Sequence, residues 1–241
     1  MKLEDLRKLH QKKYRDELGC FLVEGEHLVQ ELHRAARNDP RLLDCELYVT
    51  ASYGPLQSPF PVHVLSARQM AQLSETRSQQ GIVARVPKLS PPAPRAGERA
   101  VCLFEIQDPG NLGTILRTLA WFGGFRCLLT PHSVDPFNAK VVRASQGAIF
   151  SVPLETDVAL ESLRERYGSI ACLDLGGESI TSAGFRHFDC FVFGNEARGL
   201  PRDLLAACEA HAFTIGGGGS IESMNLAAAV NICLYELNRP D

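Results

Sequence analysis

Three polar, glycine-bearing stretches hold the residues of this chain that could do chemistry. They are Asp108-Pro-Gly-Asn-Leu-Gly-Thr-Ile-Leu-Arg117, Gly194-Asn-Glu-Ala-Arg-Gly199 and Gly219-Ser-Ile-Glu-Ser-Met-Asn225. In the first, Asn111, Thr114 and Arg117 recur at three-residue intervals, so a helix through them carries an amide, a hydroxyl and a guanidinium on one face. An amide beside a guanidinium suits a ribose-phosphate group, because arginine offers paired donors. A plain capped helix, with Asn111 as N-cap and Arg117 on the surface, fits the same residues. In the second stretch, glycines at both ends allow close backbone approach or positive φ, and charged residues stand at 196 and 198. An ordinary strand-to-helix turn, with Pro201 opening the helix, is the alternative. The third follows Gly216-Gly-Gly-Gly-Ser220, which out of context reads as a flexible linker. Just before a helix N-terminus, the same bare backbone makes a cradle for a polar cofactor, with Ser223 and Asn225 as capping groups.

The elements that must position these stretches alternate between strand and helix. A helix is expected through about Leu18, then a strand at Cys20–Val23, a turn at Glu24-Gly-Glu and a helix running to Arg37. Strands at Glu46–Thr50, Val62–Leu65 and Gly81–Val86, with a helix from Ser66 to Ser74, complete a small α/β domain. Residues 87–97 hold four prolines and a glycine and read as a semi-rigid linker. Beyond it, strands are expected at Ala100–Ile106, Arg126–Leu129, Ile149–Pro153, Ser169–Asp174, Cys190–Phe193 and Ala210–Ile215. Helices are expected at Asn111–Phe122, Pro136–Arg143, Val158–Tyr167, Pro201–Ala207 and Glu222–Leu237. Short all-apolar strands such as Phe191-Val-Phe imply burial on both faces, as in a parallel sheet covered by helices. In such sheets ligand loops lie beyond the carboxyl ends of strands, where all three stretches fall.

Composition narrows the function classes. The 241 residues are 45% hydrophobic and 22% charged, as in ordinary globular domains. No apolar run nears the roughly 18 residues that span a membrane. The N-terminus lacks the apolar core of a signal peptide, so a cytoplasmic location is expected. Eight scattered cysteines read as buried free thiols. Seven histidines show no metal-ligand spacing, and no GxSxG elbow is present, so metal-dependent and serine-based hydrolysis are poor fits. The net charge of −3 argues against wholesale nucleic-acid binding. Residues 1–15, however, carry Lys2, Arg7, Lys8, Lys12, Lys13 and Arg15 against Glu4 and Asp5. A local phosphate contact and a solvated helix face both fit that segment.

Taken in order, the three stretches closely resemble the SpoU (TrmH) family of SPOUT methyltransferases. Asn111-x-Gly113-x3-Arg117 resembles the family's first motif, Gly194-Asn195-Glu196-x2-Gly199-Leu200 its second, and Ile215 through Asn225 its third. Val142-Arg-Ala-Ser-Gln-Gly-Ala148 is similar to a further segment between the first two. The resemblance covers roughly residues 98–238. The N-terminal part, with Lys12-Lys13-Tyr14-Arg15 and Phe21-Leu-Val-Glu-Gly25, resembles a substrate-binding domain related to ribosomal-protein folds. The division implied is 1–86 for RNA binding, 87–97 as linker and 98–241 as a SPOUT domain.

That resemblance implies an α/β fold whose C-terminal parallel sheet holds a deep trefoil knot, a homodimer through that domain, and bound S-adenosyl-L-methionine. It implies methylation of a ribose 2′-hydroxyl in RNA, ribosomal before transfer RNA. Gly194, Ile215 and Met224 are expected at the cofactor largely through backbone atoms, with Asn195 and Gly217 in the same loops. Asn111, Arg117, Glu196, Ser223 and Asn225 are expected to form the catalytic group, and Arg7, Lys8, Lys12, Lys13 and Arg15 to meet RNA. Two positions depart from the family pattern: Gly216 stands where relatives have Pro, and Met224 where Leu is common. Gly for Pro loosens a loop whose stiffness helps hold the cofactor.

The implied reaction is an in-line displacement at a sulfonium methyl by the 2′-oxygen. The protein must align the reactants and help the hydroxyl lose its proton. Arg117 is a poor base because guanidinium stays protonated, so a phosphate clamp and oxyanion stabiliser is the expected role, with Ser223 and Asn225 orienting the ribose. A non-catalytic RNA-binding or ribosome-assembly factor on the same fold is the alternative. A nucleotide-dependent oxidoreductase lacks its GxGxxG fingerprint.

Overall fold

The computed structural model describes residues 1–53, 56–75, 80–219 and 223–240. It divides into two units, one of Met1–Ser90 with Asp135–Ser151, the other of Pro91–Val134 with Val152–Asp241.

In the first unit the expected N-terminal helix is two, α1 (Leu3–Lys8) and α2 (Lys12–Leu18). The break is held by Arg15, whose Nη1 donates to the carbonyls of Leu9 (2.7 Å) and His10 (2.9 Å), groups that the interruption frees. Gly19 at φ 62° ends α2 in the left-handed conformation usual at a helix C-terminus. Strand β1 (Cys20–Glu24), helix α3 (Glu26–Ala36), strands β2 (Glu46–Thr50) and β3 (Val62–Leu65), helix α4 (Ala67–Met70) and strand β4 (Ile82–Pro87) follow. The four strands lie in the order β1-β4-β2-β3, with β2 and β3 parallel and the other pairs antiparallel. Strand alternation builds two cores. Phe21, Val23, Leu47, Val49, Ile82 and Ala84 pack against Leu28, Val29 and Leu32 of α3. On the other face Cys20, Tyr48 and Val83 pack against Leu6, Leu9, Met70 and Leu73.

The second unit opens with β5 (Arg99–Leu103), α5 (Pro109–Phe122) and β6 (Phe125–Leu129). The strand expected to reach Ile106 stops at Leu103, and Glu105 takes a positive φ of 48°, which turns the chain into the loop before α5. Asp135–Ser151 then belongs to the first unit. Helix α6 (Ala139–Ser145) starts later than expected because Asn138 caps it, accepting from Lys140 N at 2.8 Å. The expected strand Ile149–Pro153 is instead a 3-10 turn at Ala148–Phe150, since Gly147 at φ 95° redirects the chain and Phe150 packs into the first unit's core.

The chain returns as β7 (Leu154–Glu155), a 3-10 turn at Leu160–Ser162 with the short α7 (Leu163–Arg166), β8 (Ile170–Ser179), β9 (Cys190–Phe193), α8 (Arg202–Ala207), β10 (His211–Thr214) and α9 (Leu226–Asn238). The sheet order is β10-β8-β9-β5-β6-β7 and every pair is parallel, as the all-apolar strands foretold. The core contains Ala100, Cys102, Leu128, Cys172, Cys190 and Val192. The expected helix start at Glu222 and the third motif's Ser220, Ile221 and Glu222 lie outside the described residues. Among the described residues no helix is long and apolar enough to cross a membrane.

Candidate active site

The loops after β5 and β9 and the N-terminus of α9 meet at the carboxyl end of the parallel sheet. The cap of α5 is Asp108, not Asn111 as the spacing predicts: Asp108 Oδ1 accepts from Asn111 N at 2.7 Å, with Pro109 in the first turn. An aspartate three residues upstream therefore serves the helix terminus and leaves the Asn111 side chain free to cross to other loops. Its Nδ2 donates to Glu196 Oε1 at 3.2 Å, and its Oδ1 accepts from Asn225 Nδ2 at 3.0 Å. Asn225 Oδ1 accepts from Ala228 N at 3.2 Å and caps α9. A carboxylate only accepts, so the orientation of both amides follows along the chain Glu196–Asn111–Asn225. Glu196 also receives the backbone N–H groups of Gln107 (3.3 Å) and Asp108 (3.4 Å).

The 194–199 loop has the shape its glycines imply. A Cβ on Gly194 would stand 2.6 Å from the carbonyl carbon of Gly199, and Gly199 itself has φ 67°. Asn195, buried, exchanges backbone hydrogen bonds with Gly199 at 3.1 and 2.9 Å. Its Oδ1 accepts from Ala197 N and Arg198 N, while its Nδ2 donates to the Glu105 carbonyl at 2.8 Å. The structure thus gives Asn195 the task of shaping the loop. Arg198 pairs with Glu105.

Arg117 and Thr114 are exposed on α5, while Ile115, Leu116 and Leu119 are buried on its other side, as the spacing predicts. Arg117 forms no ion pair with a described residue. Ser223, Met224 and Gly217 are exposed and Ile215 half-buried. A Cβ built on Gly216, Gly217 or Gly218 would meet nothing within 4 Å, so neighbouring atoms do not impose these glycines. The loop offers bare backbone to open space beside a helix N-terminus, which fits a polar cofactor held through main-chain groups.

Sequence reasoning missed four supports of this site. Gln107 Nε2 donates to the carbonyls of Glu105 (3.0 Å) and His132 (2.7 Å), and the buried Thr130 Oγ1 accepts from Glu105 N at 2.8 Å. Asp108 and Glu105 complete the set. Glu105, Gln107 and Asp108, between apolar Phe104 and the helix, are signalled by their polarity, while Thr130, just beyond β6, carries no such signal. The thiols are inert here: all eight cysteines are buried and free, and burial pushes Cys102 and Cys233 up to about 12, far from thiolate at neutral pH.

The RNA contacts expected in the first unit divide. Arg7, Lys8, Lys12 and Lys13 are exposed, with Lys8 paired to Asp5 at 2.8 Å. Arg15 corrects the expectation: it is 5% exposed and pairs with Asp135 through Nε (2.9 Å) and Nη2 (2.5 Å). A guanidinium committed to a buried carboxylate and two carbonyls has none of its charge to offer phosphate.

A parallel α/β sheet carries at its carboxyl end a polar network joining three loops, with an open glycine backbone in the third. Residues 98–235 match the SpoU rRNA Methylase family, and residues 1–84 match the MRM3-like substrate binding domain. The chain belongs to the SpoU rRNA methylase family and is an S-adenosylmethionine-dependent RNA methyltransferase. A curated relative is the 23S rRNA (guanosine(2553)-2′-O)-methyltransferase of Bacillus subtilis, 31% identical over 98% of this chain and 95% of that protein. The AdoMet-bound rRNA methyltransferase of Sinorhizobium meliloti is similar at 28% identity and TM-score 0.81, over 98% and 94% of the two chains. A putative TrmH-family RNA methyltransferase of Porphyromonas gingivalis is 30% identical with TM-score 0.83, over 98% and 96%.

Proposed function

We propose that this protein methylates a ribose 2′-hydroxyl of ribosomal RNA. The observation that carries the reading is the Glu196–Asn111–Asn225 chain, which ties all three motifs into one wall and leaves Arg117 exposed on the same helix as Asn111. Such a wall supplies alignment, which is most of what a displacement at a reactive methyl needs. Bound S-adenosylmethionine supplies the electrophilic methyl group. Arg117 clamps the phosphate next to the target ribose and stabilises the negative charge developing on its 2′-oxygen. Ser223 and Asn225 orient the ribose. Gly194, Asn195, Ile215, Gly217 and Met224 form the cofactor loops, Asn195 by fixing their shape.

A ribosomal rather than a transfer RNA target is favoured by the Bacillus subtilis relative, aligned over nearly the whole of both chains. Residues 1–86 serve as the RNA-docking domain, 87–97 as linker and 98–241 as catalytic domain, and a cytoplasmic location belongs to the same reading. A trefoil knot in the C-terminal domain belongs to the same reading. So does a homodimer, supported by the paired helices α5 and α9: they expose Trp121 (85%), Tyr235 (61%) and Ile232 (37%), apolar area that a solitary surface seldom shows. Incubation with labelled S-adenosylmethionine and ribosomal RNA, followed by mapping of the methylated ribose, tests the activity. Label on a base, or none above background, overturns it.

A further inference from the structure

We propose that Asp135–Ser151, although it lies inside the stretch that matches the methylase family, is part of the RNA-docking surface, with Lys140 and Arg143 as phosphate contacts. The inference rests on the reading of the first unit as an RNA-docking element. The segment is built into that unit. Arg15 holds Asp135, Phe137 packs on Phe21 with ring centroids 4.9 Å apart, and Val142 is 1% exposed in the core beneath α3. Gly147 touches α3 so closely that a Cβ would lie 2.6 Å from Cβ of Glu31. The buried Ser145 hydroxyl donates to the Val142 carbonyl at 2.8 Å. The segment is thus a fixed part of the unit's surface, and its groups that face inward are satisfied there.

What it turns outward is positive. Asp135, its one acidic residue, is neutralised by Arg15. Lys140 is exposed and Arg143 half-buried, one turn apart on α6, and neither pairs with a described carboxylate. Arg143 lines a shallow pocket with His10, which sits between α1 and α2, and with Glu24 and Glu75. Glu75 is taken up by His10 at 2.6 Å, and Glu24 accepts from Ser74 and from the backbone of Glu75 at 3.1 Å. Arg143 and Lys140 add to the exposed cations Arg7, Lys12 and Lys13 of the same unit. Tyr14 adds a ring flanked by the ammonium groups of Lys8 and Lys13, 5.9 and 5.6 Å from its centroid. Exposed cations around an aromatic ring suit the phosphate backbone and an unstacked base of structured RNA.

Each phosphate contact adds roughly 0.7–0.9 to the salt slope of binding. Full-length protein and its Lys140→Ala, Arg143→Gln and double variants are titrated with deproteinised ribosomal RNA across a series of KCl concentrations. The double variant is expected to lower the slope by about 1.5 and raise KM for RNA, with kcat and S-adenosylmethionine affinity unchanged. Lys140→Ala, at an exposed position, is expected to give about half that change if Arg143→Gln folds poorly. A wild-type slope in variants that keep cofactor affinity overturns the inference and leaves the methylation reading standing. Wild-type protein that neither binds nor methylates RNA overturns both.

Discussion

Asn111 shows how a single side chain acquires a role by being relieved of another. Because Asp108 caps α5, the Asn111 amide spans the space between Glu196 and Asn225, and each of its ends has a defined partner. Arg117 stands differently, exposed and tied to no described carboxylate, so its charge is available to substrate. Arg117→Ala is expected to lower kcat by roughly 10²–10³, the usual cost of losing one donor to a developing oxyanion. S-adenosylmethionine affinity by calorimetry should stay at the wild-type value. Equal losses in transfer and cofactor binding would remove Arg117 from the chemistry.

Two elements depend on interactions that their own local sequence does not contain. The α1–α2 break and the start of the returning segment share one buried ion pair, Arg15–Asp135, with side chains 6% and 10% exposed. Removing one partner leaves the other charge buried, so Arg15→Ala should destabilise the protein by about 3–5 kcal/mol in chemical denaturation. Arg15→Met with Asp135→Leu should recover much of that loss. The glycine loop after β10 poses the opposite case, since nothing packs where a side chain would stand on Gly216. Gly216→Pro should therefore be tolerated and should tighten S-adenosylmethionine binding by about two- to fivefold, through the 0.4–1 kcal/mol of disorder it removes from the free loop. Calorimetry showing equal or weaker affinity would mean that the loop must move to admit the cofactor.

For the whole molecule, stability should depend on pH through a clamp at its N-terminal end. The hydrogen bond to Glu75 raises His10 above its ordinary 6.5 and, reciprocally, lowers Glu75 below its ordinary 4.5. The His10 contribution is complete below pH 6.5 and is lost as pH rises through its elevated value; the Glu75 contribution is present above pH 4.5 and is lost on acidification. The melting temperature should therefore fall from pH 6 toward pH 9, and His10→Gln should flatten that fall; a slope unchanged in the variant would rule the clamp out. The proposed homodimer also belongs to this scale. Trp121 lies one turn beyond Arg117 on α5, so a partner packed on this face would stand next to the site. Trp121→Glu is expected to shift sedimentation from dimer to monomer and to reduce methyl transfer in parallel.

The amino-acid sequence by itself determined the two α/β halves, the all-parallel C-terminal sheet and the three polar stretches that hydrogen bonds join. These are local properties: β1, β2, β3 and β9 begin within a residue of their expected positions, because apolar runs between turn residues leave the backbone few alternatives. Gly194 and Gly199 were legible for the same reason, since only glycine fits the approach and the positive φ found there. Tertiary structure decided how polar side chains are shared among segments far apart in the chain. It gave the cap of α5 to Asp108, buried Arg15 against a carboxylate 120 residues away, and turned an apolar stretch at 149–153 into a 3-10 segment of the other unit. A hydrogen bond or ion pair between distant residues leaves no period in the sequence, so the partner of an Asn or an Arg becomes known only when the fold brings it near.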